Sequence, residues 1–313
     1  MRRAGSNSGR SIAVVDAPSN LGLRPPRVGK EPGVRKLAAA LRSWGIVSRL
    51  DALDGGRVTP PPYSPDADLE TTVISGEAVG EFSVDLAGKV GAVLGDGHFP
   101  LVLGGDCSIL IGSMLALRSL GRFGLVFIDG HLDFRHPGNS EVVGAAAGAE
   151  LALVSGRGPE RLTNIEGSKP LVRDEDAFAL GEREDELETR GARDTGIEVW
   201  DLSAVREIGP GDVAARAVET VRANDVDGFW IHLDADVLSD VVMPAVDSRQ
   251  PGGLSYAELL EHLRVLLRSD LAVGMQVTIF DPELDPTGQI AEGFASAIVR
   301  GFVVSDAEGR EEA

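Results

Sequence analysis

The sequence predicts an α/β fold in which a mainly parallel sheet is covered by helices on both faces. Short continuous apolar runs, the pattern of strands buried on both sides, recur at residues 11–15, 101–103, 124–128 and 229–233. Stretches with helical spacing of apolar residues lie between them. Three of the runs end in polar clusters, and open parallel sheets bind ligands at the carboxyl ends of their strands.

Taken in order, residues 1–10 are polar and rich in Gly and Ser, which predicts a disordered lead. Residues 11–15 form the first strand. Gly22, Pro25, Pro26, Gly29, Pro32 and Gly33 then make residues 17–33 a long loop. Residues 34–44 have helical spacing, with Gly45 placed as a cap, and Ile46-Val47 starts a second strand. Pro60, Pro61 and Pro62 mark a further loop, and residues 77–95 suit a helix. A strand at 101–103 is followed by a helix at 109–120, the central strand at 124–128, a turn-rich loop to Glu141, and a small-residue helix ending at Val154. Residues 155–169 read as loop, 178–180 and 197–200 as short strands, 211–224 as a helix and 229–233 as a strand. Ser255 caps a helix over 257–267; a strand at 272–280, a loop at 281–288 and a helix at 291–303 close the pattern. Without an internal repeat, a linker or a break in composition, residues 11–305 read as one domain, and 306–313 as a charged tail.

The bulk properties fit this reading. The chain has 313 residues, 43% apolar and 25% charged, so it can bury a large core made mostly of Val, Leu, Ala and Ile. A net charge of −19 argues against nonspecific binding to nucleic acid or to an anionic membrane. No apolar stretch reaches the ~20 residues of a membrane span. With one cysteine, Cys107, no internal disulfide can form, which fits a reducing, cytoplasmic setting.

Chemistry gathers at three strand ends. The run at 101–103 leads into Gly104-Gly105-Asp106-Cys107-Ser108. The run at 124–128 leads into Asp129-Gly130-His131-Leu132-Asp133, and strand alternation would point Asp129, His131 and Asp133 the same way. The run at 229–233 leads into Asp234-Ala-Asp236. Each cluster alone has an ordinary explanation: Asp-Gly is a common turn, Asp-x-Asp is often a solvated loop, and a lone cysteine is usually a small core residue. Together they offer more carboxylates than one ion needs. They suit two hard divalent ions about 3.5–4 Å apart, sharing carboxylates.

These motifs resemble the ureohydrolases, which include arginases, agmatinases, formiminoglutamases and guanidino-acid hydrolases. The family's GGDHS, DAHxD and S-x-D-x-D-x-x-D-P motifs correspond in order and spacing to GGDCS at 104–108, DGHLD at 129–133 and HLDADVLSD at 232–240. Met243-Pro244 and the Pro-Gly-Gly-Leu at 251–254 follow. The resemblance implies an arginase-like three-layer α/β/α sandwich assembled as a trimer or hexamer. It implies two Mn²⁺ per chain and a metal-bridging hydroxide that attacks a guanidinium or formimino carbon. Asp129, His131, Asp133, Asp234 and Asp236 match five of six metal ligands, and Asp133 is the expected proton acceptor.

Four departures bear on function. Cys107 stands where the sixth ligand is histidine, so it is either a thiolate ligand, which would admit Zn²⁺ or Fe²⁺, or a buried thiol beside a weakly held ion. Ile279 stands where a late-strand glutamate pairs with the substrate guanidinium, so either Asp281 or Glu283 replaces it or the substrate is not a simple guanidine. The arginase-type G-N-x-H-G loop keeps Gly138 and Asn139 but lacks its histidine, leaving His136 or Glu141 for proton transfer, with Asn139 beside the substrate. Arg135 occupies the place of a substrate-reading asparagine and suits a carboxylate, either the substrate's or that of a loop acid. The leading expectation is thus a hydrolase of non-peptide C–N bonds acting on a guanidino or amidine-type small molecule. The alternatives are a catalytically silent relative with a binding or regulatory role and a deacetylase-like amidohydrolase. The last is disfavoured by only five histidines in the chain.

Overall fold

The chain's apolar runs line up side by side. The computed structural model describes residues 10–183 and 191–303. Its strands are β1 (Ile12–Asp16), β2 (Leu53–Arg57), β3 (Phe99–Leu103), β4 (Gly124–Ile128), β5 (Ala177–Leu180), β6 (Glu198–Trp200), β7 (Phe229–Asp234) and β8 (Ala272–Thr278). They form one eight-stranded sheet in the order β2-β1-β3-β8-β7-β4-β5-β6. Every pairing is parallel. The chain leaves β3, crosses to β4 three places along, and later fills the gap with β7 and β8.

Strand alternation divides the core between two faces. Val126 and Ile128 of β4 pack with helices α1 (Leu37–Ser43), α5 (Pro210–Ala223), α6 (Tyr256–Arg268) and α7 (Gln289–Phe302). Leu125 and Phe127 pack with α2 (Gly76–Gly95), α3 (Ile109–Leu120) and α4 (Glu150–Val154). The architecture is therefore a three-layer α/β/α sandwich. Helix α6 shows how local sequence sets an element. Ser255 Oγ accepts from Glu258 N while Glu258 accepts from Ser255 N, and Leu259, Leu260, Leu263, Leu266 and Leu267 bury one stripe. No described helix is long and apolar enough to cross a membrane.

The differences from expectation are local. Ile46-Val47 is not strand but part of a short helix, Ile46–Arg49; the second strand is the Leu-Asp-Gly-Gly-Arg of β2. Glycine is accepted there because a Cβ on Gly55 would come within 2.9 Å of Val14 O. An added helix, Leu202–Ile208, is capped by Asp201, whose Oδ1 accepts from Ala204 N. The small-residue helix is shortened to α4. Strand β8 stops at Thr278, because Ile279 turns into left-handed backbone at φ +71°. Arg10, expected in the lead, lies over the Phe99 ring and donates to Ser269 O. The rest of the lead and the charged tail lie outside the described residues.

Where β3 ends, the chain is squeezed. A Cβ on Gly105 would sit 1.7 Å from Ser19 O, and Gly105 O accepts from Ile279 N. The backbone itself is in the way, so no rotamer change relieves it. Gly105→Ala is expected to cost about 3 kcal/mol or more. Thermal melting checks this; an alanine variant that melts with the parent would show that the loop can give way.

Candidate metal centre

The middle strands β3, β8, β7 and β4 end level with one another: Leu103 pairs with Val277, Val277 with Leu233, and Leu233 with Ile128. The segments after them converge on one point. After β3, Asp106 serves the loop itself, accepting from Ser19 Oγ (2.6 Å) and Ser108 N (2.9 Å). The next side chain, Cys107, is fully buried, with Sγ 2.7 Å from Asp234 Oδ2 and 3.0 Å from Thr278 Oγ1.

After β4 the backbone is no longer strand. Asp129 Oδ1 accepts from His131 N (2.8 Å), closing a tight turn. Asp133 has φ +49°. The common direction expected from strand alternation is therefore replaced by a turn, which brings Asp133 against Glu150 and His131. After β7, Asp234 Oδ1 accepts from Asp236 N (2.7 Å). Asp236 accepts from Gly130 N (3.2 Å) and lies 2.9 Å from His131 Nδ1. Gln250 Nε2 and Ser248 Oγ approach the other ring nitrogen of His131 at 3.1 and 3.3 Å.

Two groups of ligand-type atoms result, each with its members within 4.8 Å of one another: Cys107, Asp129, Glu150 and His232, and Asp129, His131 and Asp236. Asp129 belongs to both. Asp234 touches Cys107, and Asp133 lies beside Glu150. The six residues expected as ligands are thus brought to one place.

The electrostatics favour a cation once these carboxyls are ionised. Burial first, and the neighbouring carboxylates second, push Asp129, Asp133 and Asp234 well above the usual carboxylate range. Asp236 goes the other way: burial opposes its charge, but hydrogen bonding and charge from His131, then Arg183, outweigh it. Burial and Asp234 raise the Cys107 thiol well above its ordinary value. Asp129 Oδ2, both Glu150 oxygens and His232 Nε2 are buried without a hydrogen-bond partner. Buried carboxylates arranged in this way are compatible with folding when divalent ions neutralise them, so the residues fit a metal pair.

The remaining expected residues lie on nearby segments. Asn139 binds its own loop, donating to Phe134 O and accepting from His136 N. His136 Nδ1 accepts from Gly138 N, which leaves the ring proton on Nε2. Glu141 is exposed, and Arg135 is half-buried and engaged. Asp281 caps the turn Pro282–Leu284 by accepting from Glu283 N. Glu283 is held by Lys30 (2.7 Å) and Lys36 (2.6 Å).

Sequence reasoning missed Glu150, His232, Gln276, Thr278 and Arg183. Only His232 left a signal, since it stands at the serine of the third motif.

A parallel α/β/α sandwich with this centre at its middle strand ends fits the class of metal-dependent hydrolases. The model of the arginase family matches residues 10–304, and the chain belongs to that family. It is 28% identical over 298 residues to an arginase of Staphylococcus aureus, covering 92% of this chain and 96% of that one. It is 29% identical over 301 residues to an arginase of Brevibacillus brevis, covering 92% and 97%. The solved arginase of Bacillus caldovelox superposes with a TM-score of 0.85 at 26% identity, over 95% of this chain and 99% of that one.

Proposed function

We propose that this protein hydrolyses a guanidino or amidine compound that carries a carboxylate, and that Cys107, Asp129, His131, Asp133, Asp234 and Asp236 hold two divalent ions for it. The observation that carries this reading is Asp129, shared by two ligand-ready groups and left with an unpartnered buried oxygen. When bound, such an ion pair supplies Lewis acidity and brings the pKa of a shared water to about 7. The hard oxygen ligands favour Mn²⁺, and the thiol of Cys107 opens the site to Zn²⁺ or Fe²⁺.

The chain's own residues do the rest. Asp133, beside Glu150 and His131 at the centre, is the carboxylate placed to take the proton from water. Arg135, on the loop that follows, pairs with the substrate carboxylate. Asn139 braces that loop, and His136 and Glu141 lie further out for proton exchange with solvent. Ile279 offers nothing to a guanidinium and Glu283 is occupied by two lysines, which leaves Asp281 as the acid of the late strand end. An arginine-like substrate is therefore read differently here than in the relatives. The similarity to arginases and the single cysteine support a cytoplasmic homo-oligomer.

The test is a panel of guanidino and amidine compounds, with and without a carboxylate, scored by release of urea, ammonia or formamide from Mn²⁺-loaded protein. In Arg135→Leu, KM for the carboxylate-bearing substrate is expected to rise about tenfold to a hundredfold, the worth of a charge-assisted pair. The uncharged analogue should be unaffected. No turnover across the panel, in protein that has taken up metal, would overturn the hydrolytic reading.

A further inference from the structure

Glu150 opens α4, is fully buried, and has no hydrogen-bond partner on either carboxylate oxygen. Asp133 lies against it carboxyl to carboxyl, and the like charges facing it, after its own burial, are those of Asp234 and Asp106. A buried carboxyl among carboxylates either keeps a proton or has a cation among them, and an ionised Glu150 needs the cation. An oxygen of Glu150 lies within 4.8 Å of Cys107 Sγ, of a carboxylate oxygen of Asp129 and of a ring nitrogen of His232, as atoms sharing one ion would.

The hydrogen bonds decide which of these four bind metal. Trp230 Nε1 can only donate, and it donates to Gln276 Oε1 (3.1 Å). The amide of Gln276 is thereby oriented, and its Nε2 faces His232 Nδ1 at 2.8 Å. Nδ1 must accept, so the proton sits on Nε2. A protonated nitrogen cannot ligate a metal. Nε2 instead faces Asp129 Oδ2 at 3.6 Å, with the ring stacked on Phe127 (4.6 Å between centroids). Burial keeps the ring neutral, pushing its pKa down to about 3.

We propose that Glu150 is a metal ligand which, with Cys107 and Asp129, closes the inner of the two subsites, while His232 stays outside the coordination shell as an N–H group that positions Asp129. The inference rests on the metal-centre reading and adds to it a ligand that none of the three motifs contains. It also explains how a chain with Cys107 in the place of histidine keeps enough donors at that subsite. The extra carboxylate comes from α4, not from a strand end.

Metal content after dialysis and the absorption spectrum of Co²⁺-loaded protein test it. The parent is expected to hold about two ions per chain and to show a thiolate-to-cobalt band from Cys107. Glu150→Gln is expected to hold about one ion and to lose that band, whereas His232→Asn keeps about two ions and the band. Stripped of metal, Glu150→Gln should melt above the stripped parent at about pH 8, where the buried carboxyl would be driven to ionise. If the glutamine variant does not fold, Glu150→Asp, which keeps the charge but shortens the reach, should bind the inner ion at least about tenfold more weakly. Two ions and an unchanged spectrum in Glu150→Gln, or loss of the band in His232→Asn instead, would overturn the assignment and leave the metal centre standing. A parent that takes up no ion would bring down the metal-centre reading itself.

Discussion

Asp129→Asn is expected to leave the protein with no more than traces of metal and with hydrolysis at least about a thousandfold below the parent, the worth of several kcal/mol of metal-assisted catalysis. No other side chain belongs to both ligand groups. Losing its charge therefore weakens two subsites at once, whereas changing Cys107 or His131 weakens one. The amide has nearly the same shape as the carboxylate and retains an oxygen to accept from His131 N, so the turn after β4 should survive. Asp106→Asn is the control. It is an equally buried aspartate in the preceding motif, but its oxygens serve Ser19 and Ser108. That variant should lose stability and keep its metal. Metal analysis, activity and circular dichroism on the pair decide the matter: the shared-carboxylate reading fails if Asp129→Asn retains two ions, or if Asp106→Asn is the variant that loses them.

The parts of the fold and site that were legible in the sequence are those written in contiguous residues. β4 is an unbroken apolar run, and β7 one interrupted only by His232, because helices cover both their faces, and the ligands at their carboxyl ends could be read off as strand ends. β2 was not legible. It is an edge strand in which Gly55 is required by close approach to β1 and Gly56 by φ +80°, and Leu-Asp-Gly-Gly-Arg carries little apolar signal. Asp133 was placed at the centre through strand alternation, yet it arrives there through left-handed backbone, which no hydrophobic period encodes. Glu150 and His232 were missed for a different reason. Each sits in an apolar element, and what distinguishes it, buried polar atoms without a hydrogen-bond partner (both Glu150 oxygens and His232 Nε2), exists only in three dimensions. Ile279 was identified as a departure by its place in the sequence. Its left-handed φ became visible only in the structure, and such strain in a β-branched residue is a mark of functional sites.

Chelation should destabilise the protein, and by more at higher pH. The carboxyls of Asp129, Asp133, Asp234 and Glu150 all have raised pKa values in the metal-free fold, chiefly through burial. A group whose folded pKa lies above its unfolded value, near 4 for a carboxyl, contributes stability at lower pH and loses that contribution as pH rises through the folded pKa. Only Asp236 among these acids runs the other way. The metal-free protein thus loses stability at the centre as pH rises. Metal binding needs the same carboxyls, and the thiol of Cys107, deprotonated, so its stabilisation grows with pH. The buried histidines His232 and His262 have lowered pKa values and favour the fold less as pH falls, but they do so with or without metal, and their effect cancels in the difference. Free metal at a hundred times its dissociation constant stabilises the fold by about 2.7 kcal/mol per site. At roughly 2 °C per kcal/mol for a chain this long, that is about 5 °C per site. Melting with added Mn²⁺ and with excess chelator, from about pH 5 to about pH 8, measures the gap. A gap that widens across this range supports a centre of carboxyls that release protons to bind metal. A gap that stays constant or narrows would mean that these carboxyls are already ionised in the metal-free fold, and that something other than metal balances their charge.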